Sequence, residues 1–238
     1  MAVLNNNNIR KVLQTTEDGS HTFYLPEIDE HYHSTHGAIQ ESKYIYIKCG
    51  LLDRINNIDT NMTINVLEIG FGTGLNTLLT ALEANDKGLN IYYHTFELYP
   101  LQSEDIKKLN YPSLLSLSEE EIELFYRMHN SEWNKNAPLT SSFTLYKQIA
   151  DISRPSLLRS SNIKYDVVYF DAFAPEKQPE MWTQEIFKLI HSWCNSGAYL
   201  TTYCAKGSVR RMLQSVGYSI ERLPGPPGKR EILRATAL

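Results

Sequence analysis

The feature of this sequence that constrains the fold most is the alternation of strand-like and helix-like segments from residue 61 to the C-terminus. Seven segments have the apolar patterns of strands: residues 63–68, 91–97, 143–149, 165–171, 198–204, 218–223 and 231–236. Helical spacing separates several of them, most clearly at residues 75–84, 181–195 and 208–215. This order predicts an α/β fold with a largely parallel sheet that is covered on both faces. Residues 224–228 are too few for a crossover helix, so the last two strands should form an antiparallel hairpin.

Residues 1–60 lack this alternation and are interpreted as an N-terminal extension packed on the domain of residues 61–238. The extension is rich in Asn, His and Tyr, and only short pieces such as residues 44–47 resemble strands. Within the domain, Ser118 is followed by three glutamates, a capping-box pattern that starts a helix. Residues 118–130 are therefore predicted to form a helix inside an insertion near residues 110–135.

The composition describes one ordinary soluble globular chain, with 42% hydrophobic and 21% charged residues. Its cysteines (Cys49, Cys194 and Cys204) are widely spaced and form no CxxC pair, which indicates reduced thiols. The polar start of the chain does not resemble a signal peptide, and no apolar run approaches the roughly 18 residues that a membrane helix needs. We therefore expect a cytoplasmic protein with no metal and no membrane partner.

The net charge of −4 is unevenly distributed along the chain. Residues 201–238 contain seven basic and two acidic side chains, which gives this stretch a charge of +5 and the first 200 residues −9. A basic segment on an acidic protein fits a local contact with a polyanion. The alternative is a solvated basic face without a partner, and charge by itself favours that alternative.

A glycine-rich motif, Glu68-Ile-Gly-Phe-Gly-Thr-Gly74, joins the first strand to the first helix. Gly70, Gly72 and Gly74 let the backbone turn tightly and approach a ligand. A dinucleotide site has the spacing G-x-G-x-x-G and binds an anionic pyrophosphate, whereas here the spacing is G-x-G-x-G and the acid Glu68 precedes it. A cationic sulfonium tolerates such an acid, so we predict S-adenosylmethionine as the cofactor. The alternative is a glycine-rich turn without a ligand.

Three further residues, Asn76, Glu97 and Asp151, complete the predicted cofactor site. Asn76 belongs to the glycine-rich segment, and Glu97 ends the next strand, where it can accept hydrogen bonds from two ribose hydroxyls. Asp151 follows the strand at residues 143–149, where related enzymes use a carboxylate to bind the adenine amino group. An aspartate at this position is also a favoured helix N-cap, and both interpretations stay open.

The strand at residues 165–171 ends in Asp171-Ala-Phe-Ala-Pro175. In open α/β sheets, ligands bind at the carboxyl ends of the strands, which places Asp171 beside the reactive methyl group of the cofactor. Phe173 offers an aromatic surface for a flat substrate, and Pro175 stiffens the loop. In the alternative interpretation, Asp171 caps the following helix and Trp182 belongs to the core.

Four separated motifs, in order along the chain, resemble the methyltransferase module of the MnmC-type tRNA-modification enzymes. They are His36-Gly-Ala-Ile-Gln-Glu-Ser42, Gly70-Phe-Gly-Thr-Gly-Leu-Asn76, Asp171-Ala-Phe-Ala-Pro175 with Pro179-Glu-Met-Trp182, and Gly228-Lys-Arg-Glu231. The resemblance runs from about residue 22 to the C-terminus. It implies a Rossmann-like class I methyltransferase fold. It also implies methyl transfer from S-adenosylmethionine to the aminomethyl group of a modified wobble uridine in tRNA, giving 5-methylaminomethyl-(2-thio)uridine.

The sequence departs from that family in three ways. Ala150-Asp151 replaces the usual Gly-Asp, and the loop before Lys229 is rich in proline. Bifunctional members also carry a flavin oxidoreductase module, for which this chain has no room. As a stand-alone methyltransferase it would have tRNA as its partner and would depend on separate enzymes for the aminomethyl-uridine precursor.

The reaction implied by the resemblance is attack by a primary amine, which must first lose a proton. Proton transfer from an amine of pKa about 10.4 to an aspartate of pKa about 3.9 costs about 9 kcal/mol. We therefore expect Asp171 to orient the amine by hydrogen bonding and not to be the final acceptor of its proton. Glu41, Tyr44 and His31 could complete the pocket, and the sequence does not rank them.

RNA recognition is expected from an aromatic side chain that stacks on the flipped uridine and from basic residues at the phosphates. The candidates for phosphate contacts are Lys206, Arg210, Lys229 and Arg230, which could instead form salt bridges with the acidic part of the chain. Two rival functions stay open: a small-molecule amine methyltransferase or aminopropyltransferase, and a catalytically inactive RNA-binding module. The basic C-terminal stretch argues mildly against the first. The intact glycine motif argues against the second.

Overall fold

The computed structural model describes residues 10–154 and 162–238, so residues 1–9 of the predicted extension lie outside the described part. The extension begins with a small antiparallel sheet of three strands, β1 (Val12–Thr15), β2 (His21–Leu25) and β3 (Glu30–His31). Helical segments follow, namely α1 (Ala38–Ser42), a π helix (Lys43–Leu52) and α2 (Asp53–Ile55). From residue 10 onward, the extension is therefore folded up to the start of the main sheet.

The main sheet has eight strands within the described residues. Their bounds are β4 (Ile64–Ile69), β5 (Ile91–Glu97), β6 (Asn136–Pro138), β7 (Phe143–Ile149), β8 (Tyr165–Phe170), β9 (Cys194–Thr202), β10 (Tyr218–Pro224) and β11 (Glu231–Ala237). They run in the order β10-β11-β9-β8-β4-β5-β7-β6 across the sheet. The strands β4, β5, β7, β8 and β9 pair in parallel, and β10 and β11 form an antiparallel hairpin. The predicted mostly parallel sheet with a terminal hairpin is confirmed.

The predicted number of seven strands is wrong, because β6 adds an eighth at the edge of the sheet. It pairs antiparallel with β7, has only three residues and ends in Pro138. Three residues are too few to show an alternating pattern, and proline is tolerated in a sheet at such an edge.

Six α-helices accompany the main sheet in the described chain: α3 (Leu75–Lys87), α4 (Ser103–Ile106), α5 (Tyr111–Leu114), α6 (Glu119–Asn130), α7 (Gln184–Trp193) and α8 (Gly207–Ser215). A short 3-10 helix (Pro179–Met181) precedes α7. The predicted capping box of α6 is present, because Ser118 and Glu121 each accept a backbone hydrogen bond from the other. The helix predicted at residues 181–195 starts only after Thr183, whose hydroxyl accepts from the Ile186 N–H. It ends at Trp193 because β9 already begins at the next residue.

The π helix corrects the interpretation of residues 44–47 as a strand. Ile45, Tyr46 and Ile47 are all buried in this helix, which packs against α3, β8 and β9. Aromatic and β-branched residues favour strands in general, but packing against a neighbouring surface overrides that preference. The extension therefore contributes a helical layer to one face of the main sheet.

Both faces of the main sheet are buried. One core joins the π helix, α3 and α6 through residues such as Ile45, Leu78 and Phe125, and the other joins α7 and α8 through Phe187 and Leu213. The carboxyl ends of β4, β5, β7 and β8 meet at one edge, next to the N-terminal extension. No helix within residues 10–154 and 162–238 is long and apolar enough to cross a membrane.

Candidate active site

The glycine motif forms the turn between β4 and α3. At Gly70 (φ 97°), a Cβ atom would lie 2.7 Å from the backbone oxygen of Asp171, so a side chain would separate the ends of β4 and β8. At Gly72 (φ 51°), a Cβ atom would lie 3.1 Å from the ring of Tyr32. Gly74 immediately precedes α3. The loop is therefore confined between β8 and the N-terminal extension.

Glu97, at the end of β5, is joined to this loop. One carboxyl oxygen accepts a hydrogen bond from the Gly72 N–H at 2.9 Å, and the other accepts from the Tyr99 N–H at 2.8 Å. Burial raises the pKa of the Glu97 carboxyl, whereas these backbone hydrogen bonds lower it. The carboxyl group thus lies half-buried at the rim of the glycine loop.

Glu68 and Asn76 lie beneath the loop rather than on its surface. Glu68 is fully buried, and one of its oxygens accepts from the Thr77 hydroxyl at 3.2 Å. Burial raises the pKa of Glu68 to about 8. The side-chain amide of Asn76, also buried, donates to a carboxyl oxygen of Asp171 at 2.9 Å. Glu68 therefore contacts the first turn of α3 and Asn76 contacts Asp171, and a direct cofactor contact by either stays a prediction.

The buried acid Glu68 leads to a prediction on stability. Because the carboxyl keeps its proton up to about pH 8 in the folded protein but only to about pH 4.3 when unfolded, the folded state binds the extra proton between these values. The free energy of unfolding should therefore fall as pH rises through this window, by at most about 1.4 kcal/mol per pH unit. Glu68→Gln removes this loss, so urea unfolding should find the variant increasingly more stable than the wild type from pH 5 to pH 8. The exposed Glu120→Gln variant is the control, and a gap for Glu68→Gln that does not grow with pH would contradict the prediction.

Asp171 follows β8 and is held by two donors. The Tyr46 hydroxyl donates to one carboxyl oxygen at 2.6 Å, and the Asn76 amide donates to the other. Burial raises the pKa of Asp171 to about 7, and the negative charge of Glu41 adds to this, while both hydrogen bonds and the charge of Lys229 oppose it. The residue keeps partial contact with solvent. A half-buried carboxyl group is therefore presented at the edge of the glycine loop.

The interpretation of Asp171 as a helix cap is wrong, because its two oxygens bind Tyr46 and Asn76. Trp182 is buried, as that interpretation required, and its indole N–H donates to the Phe173 oxygen at 2.7 Å. The Phe173 ring is perpendicular to that of Tyr32, with 5.3 Å between the ring centroids. Trp182 thus fixes the loop in a position where Phe173 and Tyr32 form an aromatic wall.

The turn that contains Pro175 follows directly. The Ala174 oxygen accepts hydrogen bonds from the Lys177 N–H at 2.8 Å and the Gln178 N–H at 2.9 Å. Pro175, which is half-buried, occupies the first position after this acceptor. Its predicted stiffening of the loop is compatible with this tight turn and stays a prediction.

Of the three residues that could complete the pocket, the structure brings Glu41 to Asp171. The Glu41 carboxyl accepts from the Ser34 N–H at 2.9 Å and lies 3.2 Å from the ammonium nitrogen of Lys229. That ammonium group also lies 4.7 Å from the ring centroid of Tyr203, whose hydroxyl donates to the Ala172 oxygen at 2.9 Å. The motifs at residues 36–42, 171–175 and 228–231 therefore meet in one place.

The two other pocket candidates lie elsewhere. Tyr44 lines a separate groove with Lys43, Lys48 and Leu114. His31 belongs to the small N-terminal sheet, where its ring nitrogen bonds to Gln14 at 2.9 Å. Neither contacts Asp171 through any described interaction.

The four basic candidates for phosphate contacts fall into two groups. Lys206 is ion-paired with Glu176, and Lys229 with Glu41, so both fit the salt-bridge alternative. Arg210 is half-buried and Arg230 is exposed, and neither forms an ion pair within the described residues. The arginines are therefore the more available of the four.

Asp151 has close partners of its own. One oxygen accepts from the N–H and the hydroxyl of Ser153, and the other lies 3.2 Å from Arg154 Nε. No helix begins between Asp151 and Arg154, but the hydrogen bond from the Ser153 N–H is of the kind that an N-cap aspartate accepts, and residues 155–161 lie outside the described part, so the N-cap interpretation stays a prediction. The adenine contact stays a prediction. Elsewhere in the described residues, no cluster of three or more His, Cys, Asp or Glu side chains could hold a metal.

Sequence reasoning missed Tyr46 and Tyr203. Tyr46 is 125 residues away from Asp171 along the chain, and its segment has a strand-like composition. Tyr203 follows β9 and has no motif around it. Tyr203 could have been found from the topology of the sheet. Since β8 and β9 are neighbouring parallel strands, the residue that follows β9 lies beside the residue that follows β8.

Comparisons with known proteins agree with this geometry. Residues 119–237 match a family of S-adenosyl-L-methionine-dependent methyltransferases. The chain is 31% identical over 235 residues to the tRNA 5-methylaminomethyl-2-thiouridine biosynthesis bifunctional protein MnmC of Pseudoalteromonas translucida, which covers 88% of this chain and 34% of that protein. It is 30% identical over 219 residues to the protein of the same name from Leptospira interrogans, with coverages of 87% and 32%. The chain thus spans about a third of the length of these relatives.

Solved structures give the same picture. The crystal structure of MnmC2 from Aquifex aeolicus has a TM-score of 0.77 and 25% identity, covering 97% of this chain and 71% of that one. Spermidine synthase from Thermotoga maritima, with a TM-score of 0.51, 10% identity and coverages of 96% and 72%, shares the fold alone. The predicted Rossmann-like class I methyltransferase fold is confirmed. Together with the glycine loop between β4 and α3, these matches show that the chain belongs to the family of S-adenosyl-L-methionine-dependent methyltransferases.

Proposed function

We propose that this chain transfers a methyl group from S-adenosylmethionine to the aminomethyl group of a modified wobble uridine in tRNA, giving 5-methylaminomethyl-(2-thio)uridine. The relatives from Pseudoalteromonas and Leptospira are named for the biosynthesis of this nucleoside. The observation that carries the proposal is the half-buried carboxyl of Asp171 at the glycine loop, with the Glu41 carboxyl nearby. Two acids at a methyl-transfer site suit an amine, which carries or develops positive charge. Separate enzymes would supply the aminomethyl-uridine.

The residues around the loop fit the cofactor. Glu97 presents a carboxyl group at the rim of the loop, which suits the ribose hydroxyls. We assign the adenine amino group to Asp151, which would exchange its contacts with Ser153 and Arg154. Glu68 supports the loop from beneath. When bound, S-adenosylmethionine supplies an electrophilic methyl group.

The raised pKa of Asp171 changes the energetics of proton removal. With this pKa at about 7, transfer of a proton from an amine of pKa about 10.4 costs about 5 kcal/mol, compared with about 9 kcal/mol for an unperturbed aspartate. Each carboxyl oxygen of Asp171 accepts one hydrogen bond, from Tyr46 or from Asn76. Each oxygen therefore has a second lone pair that can accept a hydrogen bond from the amine. Asp171 can therefore orient the amine and stabilise its charge, while alignment supplies much of the rate. Phe173 and Tyr32 offer a surface for the uracil ring.

A methylation assay tests the proposal. Methyl transfer should be measured with tRNA that carries aminomethyluridine at the wobble position, with the same tRNA carrying uridine, and with free benzylamine. We expect methylation of the first acceptor only. Methylation of benzylamine but not of tRNA would favour a small-molecule amine methyltransferase. Binding of tRNA and cofactor without any transfer would favour an inactive RNA-binding module.

The two unpaired arginines lead to a prediction on RNA binding. Arg210→Ala combined with Arg230→Ala should weaken tRNA binding and reduce the salt dependence, because each lost phosphate contact lowers the slope of log K against log salt by about 0.7–0.9. Cofactor affinity should stay unchanged. The control is Arg222→Ala, since Arg222 is exposed but lies 3.5 Å from Glu231 in an ion pair. Equal slopes for the double variant and the wild type would show that neither arginine contacts phosphate.

A further inference from the structure

The ammonium group of Lys229 lies in a small cage beside Asp171. Its nitrogen is 3.2 Å from a carboxyl oxygen of Glu41 and 4.7 Å from the centroid of the Tyr203 ring. The Glu41 side chain is only 10% exposed, so its charge has little contact with water. The hydroxyl of Tyr203 donates to the Ala172 oxygen, which ties the ring to the residue after Asp171. The cage therefore adjoins the loop that begins with Asp171.

The chemistry of this cage is that of a site for a primary alkylammonium ion. A carboxylate combined with an aromatic face attracts such a cation by charge and by cation–π interaction. Lysine ends in a methylene group bonded to NH₃⁺, and the reactive group of an aminomethyluridine has the same end. In this structure, Lys229 thus presents the functional group that the proposed substrate would bring.

We propose that Glu41 and Tyr203 form the binding cage for the aminomethyl ammonium of the substrate, and that Lys229 occupies this cage until tRNA displaces it. This inference rests on the proposed function and specifies how the amine is recognised. Lys229 lies on the connection between β10 and β11, next to the exposed Arg230. A tRNA phosphate offers the displaced ammonium group a new partner. The exchange leaves the charge within the cage unchanged.

Such an exchange also explains how an unmodified uridine would be rejected. If uridine without the amine drew Lys229 away, Glu41 would be left as a nearly buried carboxylate without a cation, which is costly. An aminomethyl group avoids that cost. After the bound ammonium group has lost one proton to solvent, its nitrogen could bond to the methyl carbon as the carbon–sulfur bond of the cofactor breaks, and the same cage would stabilise the positive charge that then returns to the nitrogen. Discrimination between the two nucleosides therefore depends on the same two side chains as amine binding.

The test is a binding comparison that does not depend on turnover. Dissociation constants are measured for two tRNAs that differ only at the wobble position, aminomethyluridine or uridine, with cofactor affinity as the check on folding. The wild type should prefer the aminomethyl tRNA. In Lys229→Met the preference should increase at least about threefold, because the competing ammonium group is gone, even if both tRNAs bind more weakly. In Glu41→Gln, or in Tyr203→Leu if Glu41→Gln does not fold, the preference should fall toward one.

Lys206→Met is the matched control, since Lys206 is ion-paired with Glu176 outside the cage and its loss should leave the preference unchanged. If Lys229→Met weakens the binding of both tRNAs by the same factor, Lys229 contacts only a phosphate. That result would contradict the proposal that Lys229 occupies the cage. A lower preference in that variant would mean that Lys229 recognises the nucleoside directly, which also overturns the proposal. A wild type that methylates aminomethyl tRNA but binds both tRNAs equally would reject the cage and leave the proposed function standing. Absence of methylation would reject the function itself.

Discussion

Replacement of Gly72 by valine should abolish binding of S-adenosylmethionine while the chain stays folded. Gly72 has a φ of 51°, in which a β-branched residue is strained by about 1–3 kcal/mol. A valine Cβ would lie 3.1 Å from the Tyr32 ring, and the Gly72 N–H could not keep its 2.9 Å hydrogen bond to Glu97 if the loop shifted. Because we assign the cofactor to this loop and this carboxyl group, we expect the dissociation constant measured by isothermal titration to rise at least about 100-fold, which is about 2.7 kcal/mol.

Gly88→Val provides a matched control for this variant. Gly88 also has a positive φ, 63°, but a Cβ atom there would meet nothing within 4 Å. Both substitutions therefore strain the backbone, and only the one at Gly72 blocks the ligand. A Gly72→Val protein with the cofactor affinity of the wild type would contradict the assignment of the loop as the cofactor site.

The sequence predicted the features of the fold that depend on residues close together along the chain. The strands β5 and β7 have the predicted bounds, because β5 is buried over most of its length and buried residues alternate with partly exposed ones in the first half of β7. The capping box of α6 involves residues only three positions apart, so it could be identified directly. The placement of Asp171 at the glycine loop followed from the rule that parallel strands present their carboxyl ends at one edge.

Long-range packing explains the features that could not be predicted. Residues 44–47 form a helix because they are buried against the main sheet. The strands of that sheet lie far away in the sequence, so the segment alone does not indicate this packing. Tyr46 donates its hydrogen bond to Asp171 from this helix. Because the segment was predicted to be a strand, this hydrogen bond could not be predicted either. The pKa of Asp171 depends on burial and on Glu41, which are properties of the folded chain.

Substitution of Asp171 by alanine should lower the rate of methyl transfer by orders of magnitude at every pH, with cofactor affinity nearly intact. Asp171→Asn should keep partial activity, because the amide oxygen still accepts one hydrogen bond from the amine. Asparagine keeps a neutral acceptor that cannot take a proton and alanine has none, so the two variants separate orientation of the amine from removal of its proton. The measurement is single-turnover methyl transfer to aminomethyluridine tRNA between pH 6 and pH 9.5, which avoids any contribution from product release.

The pH profile provides the second half of this test. Since the pKa of Asp171 is about 7, the carboxylate that holds the amine forms as pH rises through 7, and the wild-type rate should rise there. It should continue to rise toward alkaline pH as neutral amine accumulates. Asp171→Asn has no group that titrates at this position, so its profile should lose the step near pH 7 and keep the alkaline rise. If the Asn variant is as inactive as the Ala variant and the wild-type rate does not change with pH, Asp171 does not act by orienting the amine.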